Sequence, residues 1–153
     1  MAYNAAIGRI ENWSEWVPIM APASKRGFQS KRGKHPGYRS NDLKEFETAK
    51  CGIYELALGK NETQLTTVYV GSTCRSKEGM IFARIEEYCS NGSHKAECID
   101  DALKHDYTIY VRIRTSHPVR KEQAENDENN LLRLFDYPWN KRLNGGNVRM
   151  IHP

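Results

Sequence analysis

The sequence predicts a small α/β domain of the α+β kind, with a central three-stranded antiparallel sheet flanked by helices. Three observations carry that expectation. Residues 52–58 and 66–70 mix β-branched and aromatic residues in alternation on either side of a polar stretch, 59–64, that holds the turn residues Gly59 and Asn61. That is a β-hairpin signal. Residues 107–115 alternate again, with Tyr107, Ile109, Val111 and Ile113 on one face and Thr108, Tyr110, Arg112 and Arg114 on the other, as in a half-buried strand. Finally, apolar residues recur at helical spacing in three segments: 80–88, roughly 95–105, and a longer one ending near residue 135.

The 153 residues suffice for one domain with a real core and an extension. Hydrophobic residues make up 39% and charged residues 27%, ordinary values for a soluble globular chain. No apolar run reaches bilayer length and no signal-peptide core opens the chain, so a membrane partner is not expected. The expected location is intracellular: nuclear in a eukaryote, cytoplasmic otherwise. Cys51, Cys74, Cys89 and Cys98 form no CxxC pair and read as reduced thiols. A zinc set of Cys74, Cys89, His94 and Cys98 would fit no usual ligand spacing.

The net charge of +4 is unevenly distributed. Lys25, Arg26, Lys31, Arg32, Lys34 and Arg39 lie in one segment without an acidic residue, which carries +6 and leaves −2 for the remainder. Phe28, His35 and Tyr38 are interleaved among Gly27, Gly33, Pro36 and Gly37, which is loop chemistry. Such an arm suits a polyanion, its cations meeting phosphates and its rings stacking on bases or sugars; the alternative is a solvated linker. The division expected is an N-terminal extension, 1–49, with its basic arm at 25–39, then a domain over 50–153. Within the extension, Trp13, Trp16, Val17, Ile19 and Met20 read as a short segment packed on the domain.

After the hairpin comes a polar loop, 72–79, with Arg75 and Lys77, then the helix 80–88 with Met80, Ile81, Ile85 and Tyr88 as its apolar stripe. Arg84 points with that stripe, and an inward arginine needs a reason. Ser90 to Ser93 break the helix before the second one. Pro118 suits the first turn of the last helix, where Ala124, Leu131, Leu132 and Phe135 form the buried stripe. Glu128 falls within about 40° of Leu132 and Ala124 at 3.6 residues per turn. A carboxylate there is costly without a charged partner or a metal.

Gly52-Ile53-Tyr54 and Tyr69-Val70-Gly71 resemble the paired signatures of the GIY-YIG nuclease family, with Val for Ile in the second. Family members carry an arginine on the helix after the second motif, a glutamate on a later helix and an asparagine beyond it, positions filled here by Arg84, Glu128 and Asn140. The run Glu128-Asn129-Asn130-Leu131-Leu132 resembles the nuclease domain of bacterial UvrC repair proteins. Tyr88 stands four positions after the arginine, where the family often has His or Tyr, and His94 resembles a histidine of some homing endonucleases. The stretches around Tyr38-Arg39, Gly52–Leu56 and Phe135–Asn140 look like the plant EFFECTOR OF TRANSCRIPTION proteins, DNA-binding and DNA-nicking regulators. Ser72 departs from the lysine that UvrC-type members have after the second motif.

The resemblance covers about residues 50–145 and implies a metal-dependent DNA endonuclease. Glu128 would hold one Mg²⁺ or Mn²⁺ ion. Arg84 would bind the scissile phosphate, and Tyr54 would deprotonate or position the water. Tyr69 would hydrogen-bond the phosphate or the water, Tyr88 and His94 would assist, and Asn140 would orient the metal shell or close the site. Lys25, Arg26, Lys31, Arg32, Lys34, Arg39, Arg75 and Lys77 would grip the DNA backbone. The rival expectation is a DNA-binding regulator that cuts little or not at all. RNA stays open as a substrate, as do nicking versus double-strand cleavage and the oligomeric state.

Overall fold

The computed structural model describes residues 13–22, 46, 48–74, 80–89, 95–115 and 120–141. Their elements run β1 (Val17–Met20), β2 (Cys51–Gly59), β3 (Leu65–Cys74), α1 (Met80–Tyr88), α2 (Ala96–Lys104), β4 (Thr108–Thr115) and α3 (Lys121–Leu134). The sheet is antiparallel throughout, in the order β1-β4-β2-β3. This is the α+β architecture expected, with one correction: the sheet has four strands, not three. β1 is short, holds Pro18 and shows no clean alternation, so nothing in its pattern marks a strand. It pairs as an outer strand of the sheet, where a proline is tolerated. Ser14 extends the contact, its N–H donating to the Ile113 carbonyl and its hydroxyl accepting from Ile113 N–H, each at 2.9 Å.

The hairpin forms because its turn is organised by one side chain. Asn61 Oδ1 accepts from the backbone N–H of Thr63 and Gln64 and from the Thr63 hydroxyl, at 2.7–3.1 Å. Between Leu56 and Ala57 the β2–β3 register shifts by one residue, an irregularity at Val68. It puts both Val68 and Tyr69 into the same core cluster.

β2 is buried along its whole length, because both faces of the sheet are covered. Tyr54, Leu56 and Leu58 pack with Ile81, Ile85 and Tyr88 of α1 and Ile99 and Ala102 of α2. The alternate residue Ile53 packs with Val70, Trp13 and Leu131 and Leu132 of α3. Since successive strand residues point to opposite faces, α1 and α2 cover one face and α3 the other. Each such apolar side chain contributes about 1.5–3 kcal/mol on burial. β4, expected to be half-buried, is buried from Thr108 to Ile113. The tryptophans of the N-terminal segment are the reason: Trp13 and Trp16 both stack on Arg112, on the face that reads as polar in the sequence.

The expectation of four reduced thiols fails for one pair. Cys51 and Cys74 are direct cross-strand partners at the open end of the hairpin and form a disulfide, whereas Cys89 and Cys98 are free and buried. A zinc set that includes Cys74 loses that ligand. No helix among the described residues is long and apolar enough to cross a membrane. The basic arm 25–39, Arg75, Lys77, His94 and Pro118 lie outside the described residues.

Candidate active site

Tyr54 is the most enclosed member of the site, with no exposed surface. Its direct partner across the hairpin is Gly71 rather than Tyr69. A Cβ on Gly71 would come within 2.5 Å of Tyr54 Cζ, so the phenol ring lies across β3 only because that residue is glycine. At Gly52 a Cβ would sit 2.6 Å from the Arg114 carbonyl oxygen and 3.0 Å from Ile81 Cδ1. One glycine thus admits the ring, and the other lets α1 and β4 close on β2.

Three tyrosines meet here. The Tyr54 and Tyr69 ring centroids are 6.3 Å apart, and Tyr88 of α1 lies 5.6 Å and 5.9 Å from them. The Tyr54 and Tyr88 hydroxyls are 2.6 Å apart, and Tyr88 also hydrogen-bonds Tyr69. Burial, with Tyr69 beside it, pushes Tyr54 well above the ordinary tyrosine range, against the pull of Tyr88 and Arg84. Burial likewise raises Tyr69 and Tyr88. At neutral pH the cluster is a set of phenols.

Arg84 connects this cluster to solvent. Its Nε donates to Tyr54 Oη at 3.2 Å, and its Nη1 pairs with Glu87 Oε2 at 2.8 Å, with 28% of the side chain exposed. Burial opposes its charge, but Tyr54, Tyr88 and Glu87 more than offset that and hold it protonated. The arginine that points with the apolar stripe of α1 therefore has its reason: half of it serves a buried phenol and half faces outward.

Glu128 sits on α3, half-buried, where the helical wheel places it. One partner is a neutral hydroxyl: Ser72 Oγ donates to Glu128 Oε1 at 2.6 Å. The Glu128 charge is also among the influences that raise Tyr69. Carboxylate, phenols and guanidinium thus meet at β3 from four secondary-structure elements, β2, β3, α1 and α3.

A GIY-YIG domain family model matches residues 13–150. The chain belongs to the GIY-YIG domain family. Neither a curated protein nor a solved structure matches it. GIY-YIG domains are in general endonucleases that act on DNA.

Within this GIY-YIG domain, Asn140 is committed to backbone. Its Oδ1 accepts from Val70 N–H at 3.0 Å and its Nδ2 donates to the Val70 carbonyl at 2.9 Å. His94, Arg75, Lys77 and the six cations of the basic arm lie outside the described residues. Two residues of the neighbourhood escaped the sequence reading. Ser72 read only as a lost lysine, since a small polar residue in a loop carries no signal of its own. Lys95 is 4% exposed; its Nζ donates to the Trp139 carbonyl at 2.5 Å and lies 5.1 Å from the Tyr69 ring centroid. Burial lowers its pKa, with Cys98 opposing and Lys141 adding to the shift. A lysine just before an amphipathic helix looks solvated in sequence, so nothing marked it.

Proposed function

We propose that this GIY-YIG domain is a divalent-metal-dependent endonuclease that hydrolyses DNA phosphodiester bonds. The observation that carries the reading is the grouping of Arg84, the Tyr54–Tyr69–Tyr88 hydroxyls and the Glu128 carboxylate around β3. Arg84 binds the scissile phosphate with the part of its guanidinium that now meets Glu87, a geometry suited to phosphate oxygens. Tyr54 positions the attacking water as a phenol. Its contacts with Tyr88 and Arg84 only partly offset the burial that keeps it protonated, so it orients the water without taking its proton. Tyr69 hydrogen-bonds the phosphate or the water, and Tyr88 holds the other two phenols in register.

The donors present fit one hard cation. Glu128 and the surrounding hydroxyls offer oxygen only, the preference of Mg²⁺ or Mn²⁺. Among the described residues no group of three or more His, Cys, Asp or Glu gathers as a metal cage, so the ligand set is one carboxylate with waters. Such an ion would neutralise charge on the phosphate and assist the departing 3′ oxygen. Asn140 contributes by fixing the backbone of Val70, beside Tyr69. His94 assists from beyond α1, and the arm 25–39, with Arg75 and Lys77, grips the DNA backbone through sequence-independent phosphate contacts.

The test is cleavage of supercoiled plasmid in Mg²⁺ or Mn²⁺ by wild type and Glu128→Ala. Nicking or linearisation that needs the ion and drops by roughly 100-fold or more in the variant is expected, the loss of several kcal/mol of transition-state stabilisation. If neither protein cuts, yet both retard DNA in a salt-sensitive way, the chain is a DNA-binding regulator instead.

A further inference from the structure

Ser72 lies directly opposite Ile53 in the β2–β3 register, and Ile53 packs against Leu131 and Leu132 of α3. Cross-strand partners share a face, so Ser72 points toward α3 as well. There its hydroxyl donates to Glu128 Oε1 at 2.6 Å, across 56 residues of sequence. The distance is that of a well-formed hydroxyl–carboxyl hydrogen bond. A glutamate side chain on a helix has three rotatable bonds, and fixing them costs rotamer freedom. A hydrogen bond from a rigid strand supplies that order before any ligand arrives. Ser72 stands on the same strand as Tyr69 and Gly71, so the bond also sets the distance from the carboxylate to the tyrosine cluster.

We propose that Ser72 is a positioning residue that holds Glu128 in the orientation needed to take the divalent ion. The proposal rests on the nuclease reading above and adds to it the residue that presets the metal ligand. Its hydroxyl acts through Glu128 and touches neither phosphate nor water. A mere strap between β3 and α3 would contribute stability alone, so ion binding without DNA tells the two apart.

The experiment compares Ser72→Thr with Ser72→Val in the full chain. The two variants have nearly the same shape and both suit a strand, but only threonine keeps the hydroxyl. Mn²⁺ binding without DNA is followed by electron paramagnetic resonance, and the metal dependence of plasmid cleavage is measured in parallel. In Ser72→Val the Mn²⁺ affinity should fall about 10-fold or more, the usual consequence of losing a residue that orients a metal ligand. Half-maximal cleavage should need correspondingly more metal, with a smaller change in the rate at saturation. Ser72→Thr should stay within a few-fold of wild type. Equal Mn²⁺ affinity in the two variants, beside a wild type that binds and cuts, overturns the positioning role and leaves the nuclease intact. A wild type that neither binds Mn²⁺ nor cuts removes both.

Discussion

Tyr54 and Glu55 are neighbours on β2, both without exposed surface, and they open onto opposite faces of the sheet. On one side Tyr54 joins two more phenols and the partly exposed Arg84. On the other, Glu55 Oε1 receives Arg112 Nε at 2.6 Å and Nη2 at 2.5 Å, while Tyr137 donates to Oε2 at 2.5 Å. Arg112 is 1% exposed and lies between the rings of Trp13 and Trp16, 4.5 and 4.7 Å from them. Burial raises the Glu55 carboxyl, and Arg112 and Tyr137 oppose it. Both clusters are polar networks in a dry interior, yet they differ in where the charge ends. Glu55, Arg112 and Tyr137 are all buried, which is the arrangement of a structural element. The Tyr54 network hands its charge to a side chain that solvent reaches, which is the arrangement of a site awaiting a ligand.

The contrast breaks most readily at Arg112. Arg112→Ala leaves Glu55 buried and uncompensated and should lower stability by about 3–5 kcal/mol in urea denaturation. Replacing the pair together, as Glu55→Leu with Arg112→Met, should recover most of that loss. A cost under about 1 kcal/mol for the single change would mean that the buried network is hydrated after all. Gly71→Ala comes next. The added methyl drives Tyr54 off β3, costing about 1–3 kcal/mol by overpacking, and it should lower plasmid cleavage more than stability.

A pH series sharpens the comparison through the phenols. Tyr54, Tyr69 and Tyr88 all titrate above the ordinary value of about 10, so above that pH the folded chain holds more protons than the unfolded one. Stability should therefore be intact below about pH 10 and fall as pH rises through the raised values. Thermal melts in alkaline buffers check this, and Tyr88→Phe should flatten the slope. The smallest effect is expected at Glu87, on an exposed pair one turn along α1. Glu87→Gln should leave stability within about 0.5 kcal/mol. It should lower KM for DNA a few-fold, because a phosphate would no longer displace a carboxylate from Arg84. A KM that rises instead would show that Glu87 orients Arg84 rather than competing for it.

The hairpin, the later helices and β4 were legible in sequence because each repeats its own period over enough residues. β1 was not, since four residues with a proline carry no period and its pairing is decided by β4, far along the chain. The grouping of Tyr54, Tyr69, Tyr88 and Arg84 could be anticipated from motif order, and the inward face of Glu128 from its helical angle. Glu55 and Arg112 could not. Arg112 stands on a face that looks polar, and only the fold of the N-terminal segment brings Trp13 and Trp16 over it. The same limit hid the Cys51–Cys74 bond, which depends on a cross-strand register that spacing does not encode.

The clasp of Asn140 on Val70 has a consequence beyond the site. β3 is the last strand of the sheet on its side, and its outer rim would otherwise offer bare amide and carbonyl groups to any passing chain. Asn140 takes both groups of Val70, and Trp139 N–H takes the Val68 carbonyl at 2.8 Å. The segment after α3 therefore occupies the middle of that rim, at Val68 and Val70, where another strand would have to pair.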